Sequence, residues 1–219
     1  IMYRTLYRRC DIVKYEWKKQ EKEIYLPKGK PEQIFIKKFR YLTLEGSGNP
    51  NESLFSELTG ALFSLSYTLK MLPKKGITPD GYFDYAVYPL EGIWDLDIDS
   101  DFDETKLDKN KLVYKIMIRQ PDFINKEIIE TAAEILKKKK TVMYIDKIKF
   151  EEIEDGLAVQ MMHTGSYDSE TESFEKMKNF CLENKLNIRS KAHKEIYISN
   201  PERTAPEKLK TVLRYFVKK

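Results

Sequence analysis

The sequence predicts an α+β fold in which two related halves enclose a cleft. Each half runs strand, glycine-containing turn, helix, strand, proline-marked bend and strand. The turns lie at 46–48 and Gly165, and the bends at Pro89 and Pro201. The identity between the halves is low, so the repeat rests on the order of the elements and on turn chemistry. Two such units, each too small to bury its own sheet face, are expected to pack around a pseudo-twofold axis with a cleft at their seam.

The first half opens with a strand and an amphipathic helix. Apolar and polar residues alternate over 39–45, which is typical of a strand covered on one face. Leucine and phenylalanine then recur every three or four residues over 52–72, which predicts a helix with one apolar side that Pro73 ends. Further strands are predicted at 83–88 and 112–118.

The second half repeats this order. A strand is predicted at 157–163 and, after the turn, a helix at 168–185. Strands at 193–199 and 209–217 complete the half.

These elements divide the chain into an arm and one domain. Residues 1–30 are polar and charged and end in a segment punctuated by proline and glycine, so we interpret them as an N-terminal arm. The domain then spans 31–219, with module one at about 34–120 and module two at about 142–219. A helix at about 122–140 is expected to connect the modules.

The composition argues against several classes of protein. Apolar residues make up 41% and charged residues 34% of the 219 residues, which supports a folded core rather than disorder. The net charge of +4 arises from 39 basic and 35 acidic residues, without the concentrated basic face of a nucleic-acid binder. The chain also lacks a signal peptide and the apolar run of about 18 residues that crosses a bilayer. We therefore expect a cytoplasmic protein that binds neither nucleic acid nor membrane.

Aromatic residues are abundant. Fourteen tyrosines, eleven phenylalanines and two tryptophans make up 12% of the chain. A buried tyrosine needs a polar partner for its hydroxyl, so a surplus of tyrosines often lines a cleft. The candidates for an aromatic wall lie near the seams between the modules: Tyr67, Tyr88, Trp94 and Tyr167. Each of them alone is more often a core residue, but their shared placement favours a wall as a set.

Glu195 is the first candidate for the chemistry of the cleft. In an extended segment Glu195 and Tyr197 share one face, opposite the isoleucines that alternate with them, so a carboxylate stands beside an aromatic ring. Such a carboxylate attracts a cationic ligand and can orient or deprotonate a water molecule. The alternative interpretation is a solvated glutamate at the start of a strand.

Two further residues are candidates. His163 ends a predicted strand and could exchange a proton with a ligand, although a histidine in that position more often satisfies a turn. Glu91 is a second carboxylate, whose direction the adjacent Gly92 leaves open. The two histidines have no acidic partners at helical spacing, and no P-loop or dinucleotide fingerprint is present, so we expect no metal and no cofactor.

Three stretches resemble the GyrI-like small-molecule-binding family. Residues 162–167, Met-His-Thr-Gly-Ser-Tyr, are similar to its His-x-Gly-x-Tyr strand end. Residues 195–204 resemble its Glu-x-Tyr…Asp-Pro turn, with Asn200 in place of the usual aspartate. Residues 88–94, Tyr-Pro-Leu-Glu-Gly-Ile-Trp, resemble a stretch of its stand-alone branch. The likeness covers about 31–219, which includes both halves.

The resemblance implies two strand-helix-strand-strand (SHS2-like) modules around a central ligand groove, in an antiparallel sheet with its helices on one side. It also implies that the groove takes planar aromatic or cationic xenobiotic compounds, in a monomer or weak homodimer. Some stand-alone members hydrolyse DNA-alkylating compounds that contain a spirocyclopropane. The resemblance thus implies detoxification by opening of a strained cyclopropane ring, with Glu195 and His163 as catalytic residues. The alternatives are a non-catalytic drug-sequestering or sensing module and a protein-binding protein similar to gyrase inhibitors.

Overall fold

The structure is a computed structural model that describes residues 14–96, 108–138 and 142–219. Its strands are β1 (Glu32–Ile36), β2 (Phe39–Ser47), β3 (Leu90–Leu96), β4 (Leu112–Gln120), β5 (Lys149–Ile153), β6 (Gly156–Thr164), β7 (Asn187–Tyr197) and β8 (Lys210–Lys218). Its α-helices are α1 (Trp17–Gln20), α2 (Lys22–Tyr25), α3 (Ser53–Lys70), α4 (Lys126–Lys137) and α5 (Thr171–Glu183). None of the helices in the described ranges is long and apolar enough to cross a membrane.

The strands form one antiparallel sheet in the order β1-β6-β8-β7-β3-β4-β2-β5. The first module is β2-α3-β3-β4 and the second is β6-α5-β7-β8, and the two meet where β3 pairs with β7. The strand that precedes each module pairs with the other module, because β1 pairs with β6 and β5 with β2. This exchange obeys a pseudo-twofold relation and confirms the predicted α+β fold of two strand-helix-strand-strand modules.

The predicted strand at 83–88 is wrong, and the strand of the first module lies at 90–96 instead. Within 83–88 only Tyr85 forms an isolated bridge, to Tyr15. These residues pack against the N-terminal segment instead, and the Trp17 indole N–H donates to the carbonyl of Val87 over 2.9 Å. Pro89 therefore precedes β3 and is not the counterpart of Pro201, which lies between β7 and β8.

The helices α3 and α5 cover the same face of the sheet, here called the helix face. Four buried leucines of α3 pack on strands β2 and β4: Leu58, Leu62, Leu65 and Leu69. Helix α5 buries Met177 and Cys181 against β6 and β8, and α4 packs on α3. Full burial of one such leucine stabilises the fold by about 1.5–3 kcal/mol.

Residues 14–30 cross the opposite face, here called the arm face. Trp17 and Tyr25 of this segment are buried, and the carbonyl of Ile24 accepts a hydrogen bond from Arg214 of β8 over 3.2 Å. Glu21 pairs with Arg119 of β4. The segment is therefore packed into the domain through a charged side chain and two aromatic rings.

Candidate functional site

Predicted site residues converge on the helix face where β3 meets β7. In the antiparallel register Gly92 lies opposite Glu195, and Trp94 lies opposite His193. Side chains alternate along a strand, so these positions and Tyr197 share the helix face. The seam lies between α3, which covers the first module, and α5, which covers the second.

A chain of hydrogen bonds fixes the carboxylate at this seam. The Trp94 indole N–H donates to the hydroxyl of Tyr197 over 2.9 Å, and that hydroxyl donates to Glu195 Oε2 over 2.7 Å. His193 Nε2 lies 3.0 Å from Glu195 Oε1, where a ring N–H can donate to it. Burial, and then the charge of Glu195, raise the pKa of Tyr197 well above its ordinary value, so the hydroxyl keeps the proton that it donates. Both carboxylate oxygens of Glu195 are thus oriented.

Two glycines allow aromatic rings to lie flat on the sheet beside this carboxylate. A Cβ atom at Gly92 would come within 2.7 Å of the Trp94 indole nitrogen, and one at Gly46 would come within 2.5 Å of the Tyr114 ring. The centroids of the Trp94 and Tyr114 rings lie 5.0 Å apart, and Phe55 of α3 packs on both, at 5.6 and 5.3 Å. This group forms an aromatic wall on the side of the first module.

Glu170 adds a second carboxylate, which the sequence analysis missed. It lies between the short 3-10 turn Tyr167–Ser169 and α5, is 7% exposed, and its Oε1 has no hydrogen-bond partner among the residues that the structure describes. Burial, then the charges of Glu195 and Asp168, raise its pKa to about 9, so it holds a proton at neutral pH. Nothing in the sequence distinguishes Glu170 from the other acidic residues at the start of this helix.

Tyr167 lies at the rim of the site. Its ring meets that of Tyr197 edge to face with centroids 5.9 Å apart, and the residue is 40% exposed. The structure therefore brings together four of the predicted residues, Glu195, Trp94, Tyr167 and Tyr197. These four, with His193 and Glu170, are called the seam cluster below.

The structure places three predicted ligand-binding residues elsewhere. Tyr67 is 54% exposed and packs beside Phe63 of its own helix. The Tyr88 hydroxyl donates to Glu21 of the N-terminal segment, because the residue precedes β3 and lies against that segment. Glu91 is the neighbour of Gly92 in β3, and successive side chains of a strand point to opposite faces, so Glu91 lies on the arm face.

His163, predicted as a catalytic residue, is buried in the turn between β6 and α5. Its Nδ1 lies 3.0 Å from the Ser173 hydroxyl, and its Nε2 lies 3.1 Å from the carbonyl of Ser166. Both ring nitrogens are therefore used to hold the turn against the helix, which agrees with the alternative role given to this residue.

Two open concavities, with volumes of about 290 and 520 Å³, share Ile93 of β3, and the larger is also lined by Gly46 and Tyr114 next to the aromatic wall. Neither is lined by a member of the seam cluster. The concavities are wide open to solvent, whereas the seam holds an oriented carboxylate beside aromatic rings, so the seam cluster is the better candidate. Within the described ranges no group of three or more His, Cys, Asp or Glu side chains is arranged to hold a metal ion.

An antiparallel sheet of two modules with an acidic, aromatic seam defines a small-molecule-binding domain. The GyrI-like small molecule binding domain matches residues 29–217, and the chain belongs to this family. This match confirms the resemblance drawn from the sequence motifs. No curated protein matches the sequence.

Solved structures from Listeria innocua are similar over nearly the whole chain. One, described as a hydrolase, is 34% identical with a TM-score of 0.84, and the match covers 94% of this chain and 100% of that one. Another, described as an uncharacterized conserved protein, is 37% identical with a TM-score of 0.85 over the same shares. The C-terminal domain of EcmrR is 12% identical with a TM-score of 0.52, over 87% of this chain and 98% of that one, and shares the fold alone.

Proposed function

We propose that the protein binds planar aromatic or cationic xenobiotic compounds at the seam between α3 and α5. The observation that carries this proposal is the oriented carboxylate of Glu195 beside Trp94 and Tyr197. A carboxylate attracts a cation, and indole and phenol rings supply faces on which a flat cation or neutral ring stacks. Membership in a small-molecule-binding family supports the same role.

We further propose that the site hydrolyses a strained spirocyclopropane conjugated with a ring ketone. The 34% identity to a protein described as a hydrolase supports a reaction, and the two carboxylates supply a base and an acid. Glu195, whose oxygens are held in place, takes the role of the base. Glu170, which keeps its proton at neutral pH, takes the role of the acid.

The proposed reaction adds one water molecule. Glu195 accepts a proton from water as the water oxygen attacks the cyclopropane methylene carbon. The carbon–carbon bond to the ring breaks, its electron pair moves through the conjugated ring to the ketone oxygen, and Glu170 donates its proton there. The single product carries both a primary alcohol, at the former cyclopropane methylene, and a phenol, and solvent returns the proton from Glu195 to Glu170. Ring strain and aromatisation supply the driving force, so the protein contributes positioning and proton transfer.

The test is to incubate the protein with a cyclopropanoid alkylator and to follow the ring-opened alcohol by liquid chromatography and mass spectrometry. We expect many turnovers per protein, and a loss of about 100-fold or more in Glu195→Gln. Glu172→Gln, on the exposed side of α5, is the matched control and should retain full activity. Saturable binding with no more than one equivalent of product would refute hydrolysis and would leave a drug-sequestering protein.

A further inference from the structure

Thr59 of α3 carries a hydroxyl that is used differently from those of two other helical threonines. In α3 the Thr68 hydroxyl donates to the carbonyl of Ser64 over 2.7 Å, and in α4 the Thr131 hydroxyl donates to the carbonyl of Glu127 over 2.9 Å. The Thr59 hydroxyl is buried and has no hydrogen-bond partner among the residues that the structure describes. Buried polar atoms in folded proteins are nearly always satisfied, so this hydroxyl indicates a missing partner.

Two contacts fix where Thr59 lies above the sheet. Phe55, one helical turn before it, packs on Tyr114 near the start of β4, with ring centroids 5.3 Å apart. Ser66, two turns after it, accepts a hydrogen bond from the Gln120 amide at the end of β4 over 3.1 Å. Residues at these spacings lie on one side of a helix, so α3 runs along β4 with Thr59 on the side of both contacts.

Thr59 therefore lies over the strands that meet at the seam. The helix rises about 6 Å from the first contact to Thr59, which corresponds to about two residues of a strand, so Thr59 lies above Ile116. In the register of the sheet Ile116 lies opposite Gly92, and Gly92 lies opposite Glu195. The Trp94 indole lies close against Gly92. The unpartnered hydroxyl thus shares a row of the sheet with the carboxylate and the indole of the seam cluster.

We infer that Thr59 is a specificity-determining residue of the seam, which donates a hydrogen bond from α3 to the ketone oxygen of a flat ligand. This inference rests on the proposed function, because it takes the rings of the ligand to lie at the seam. It adds a neutral donor and leaves the acid and base roles of Glu170 and Glu195 unchanged. In the proposed hydrolysis the ketone oxygen gains negative charge as the carbon–carbon bond breaks, and a donor placed there stabilises that charge.

The experiment compares the binding of fluorenone and fluorene by equilibrium dialysis. Both compounds are flat and tricyclic, and they differ in the ketone oxygen. Thr59→Val keeps the shape of the side chain and removes the hydroxyl, so we expect it to weaken the binding of fluorenone by about three- to tenfold and to leave that of fluorene unchanged. Thr59→Ser keeps the hydroxyl and should bind fluorenone nearly as the native protein does. Thr68→Val removes a hydroxyl that is satisfied within α3 and should change neither affinity.

The stability of Thr59→Val separates a binding role from a structural one. Valine and threonine have similar helix propensities, and the variant loses a buried hydroxyl that has no partner in the described residues. The midpoint of urea denaturation should therefore stay the same or rise. A hydroxyl that held the fold together would instead lower the midpoint when it is removed.

The outcomes distinguish this inference from the proposed function. Unchanged binding of fluorenone by Thr59→Val would overturn the inference alone. A lower midpoint of denaturation, with an equal loss of affinity for both compounds, would assign Thr59 a structural role and would also overturn the inference alone. Failure of the native protein to bind either compound would overturn the binding of planar aromatic compounds and the inference together.

Discussion

The two faces of β3 and β7 hold their carboxylates in opposite ways. On the arm face, Asp155 lies 2.7 Å from Lys194 and 2.6 Å from Arg214. Glu91 Oε2 lies 3.2 Å from Lys194, an ion pair without hydrogen-bond geometry. All four residues are at most 2% exposed. Burial by itself would raise the pKa of Asp155, but the two cations outweigh it and hold that pKa below its usual value.

On the helix face, the carboxylates have no lysine or arginine partner within the described part of the chain. Glu195 accepts from the Tyr197 hydroxyl and from His193, and burial with a neighbouring carboxylate leaves Glu170 protonated. The comparison shows that the buried carboxylates of the arm face, where no ligand is expected, are paired with cations. Among the described residues, Glu195 and Glu170 of the seam cluster have no such cation, which agrees with the binding site proposed there.

The largest expected effect is a loss of stability when a buried ion pair on the arm face is broken. Asp155→Asn leaves Lys194 and Arg214 buried with Glu91 as their remaining carboxylate, and we expect the free energy of unfolding to fall by about 3–5 kcal/mol. Urea denaturation at pH 7 measures this. The exposed Glu152→Gln is the control and should change the stability little. A loss for Asp155→Asn that is no larger than the control's would contradict the structural role.

Glu170→Gln is expected to stabilise the protein at high pH. The folded pKa of about 9 lies above the ordinary value of 4.5, so the folded state binds more protons than the unfolded state between these values. Stability is therefore lost as pH rises through this window. We expect the variant to gain roughly 2–4 kcal/mol at pH 9 and less than about 1 kcal/mol at pH 5. Thermal unfolding across this pH range measures the gain, and an equal gain at both pH values would argue against a buried acid.

Gly92→Ala tests the close contact of the aromatic wall. The new methyl group would meet the Trp94 indole nitrogen at 2.7 Å, so the ring must shift and its hydrogen bond to Tyr197 is disturbed. We expect a loss of about 1–3 kcal/mol, as is typical of overpacking, together with weaker ligand binding. Gly60→Ala in α3, with open space around the added Cβ, is the control and should stabilise the protein by about 0.5–1 kcal/mol. Equal effects of the two substitutions would show that Trp94 does not need the glycine.

The smallest effect is expected for Tyr197→Phe. The variant removes one hydroxyl, so that the Trp94 N–H and one oxygen of Glu195 lose their partner, at a cost of about 1–2 kcal/mol in stability. Because the carboxylate is then less well oriented, ligand affinity and turnover should both fall. Fluorescence titration with a flat cationic dye gives the affinity. Tyr67→Phe, on the exposed side of α3, should leave it unchanged.

Local pattern correctly placed Glu195 and Tyr197 on one face of a strand. The alternation that sets Glu195 and Tyr197 apart from Ile196 holds in β7, where Ile196 is fully buried on the arm face. The strand predicted at 83–88 was wrong, because its tyrosines pack on a segment some 60–70 positions earlier in the chain. The glycine two positions before Trp94 is a signal in the sequence for a ring that lies flat on a strand.

The sequence by itself determined the order of elements, the two-module repeat and the face on which Glu195 and Tyr197 lie, because those features depend on periodicity within short segments. Only the tertiary structure decided which carboxylates are compensated. Asp155 meets cations from positions 194 and 214, whereas Glu170 meets the carboxylate of Glu195. The pairing of buried charges depends on side chains that are distant in sequence and close in space, so no local sequence pattern predicts it.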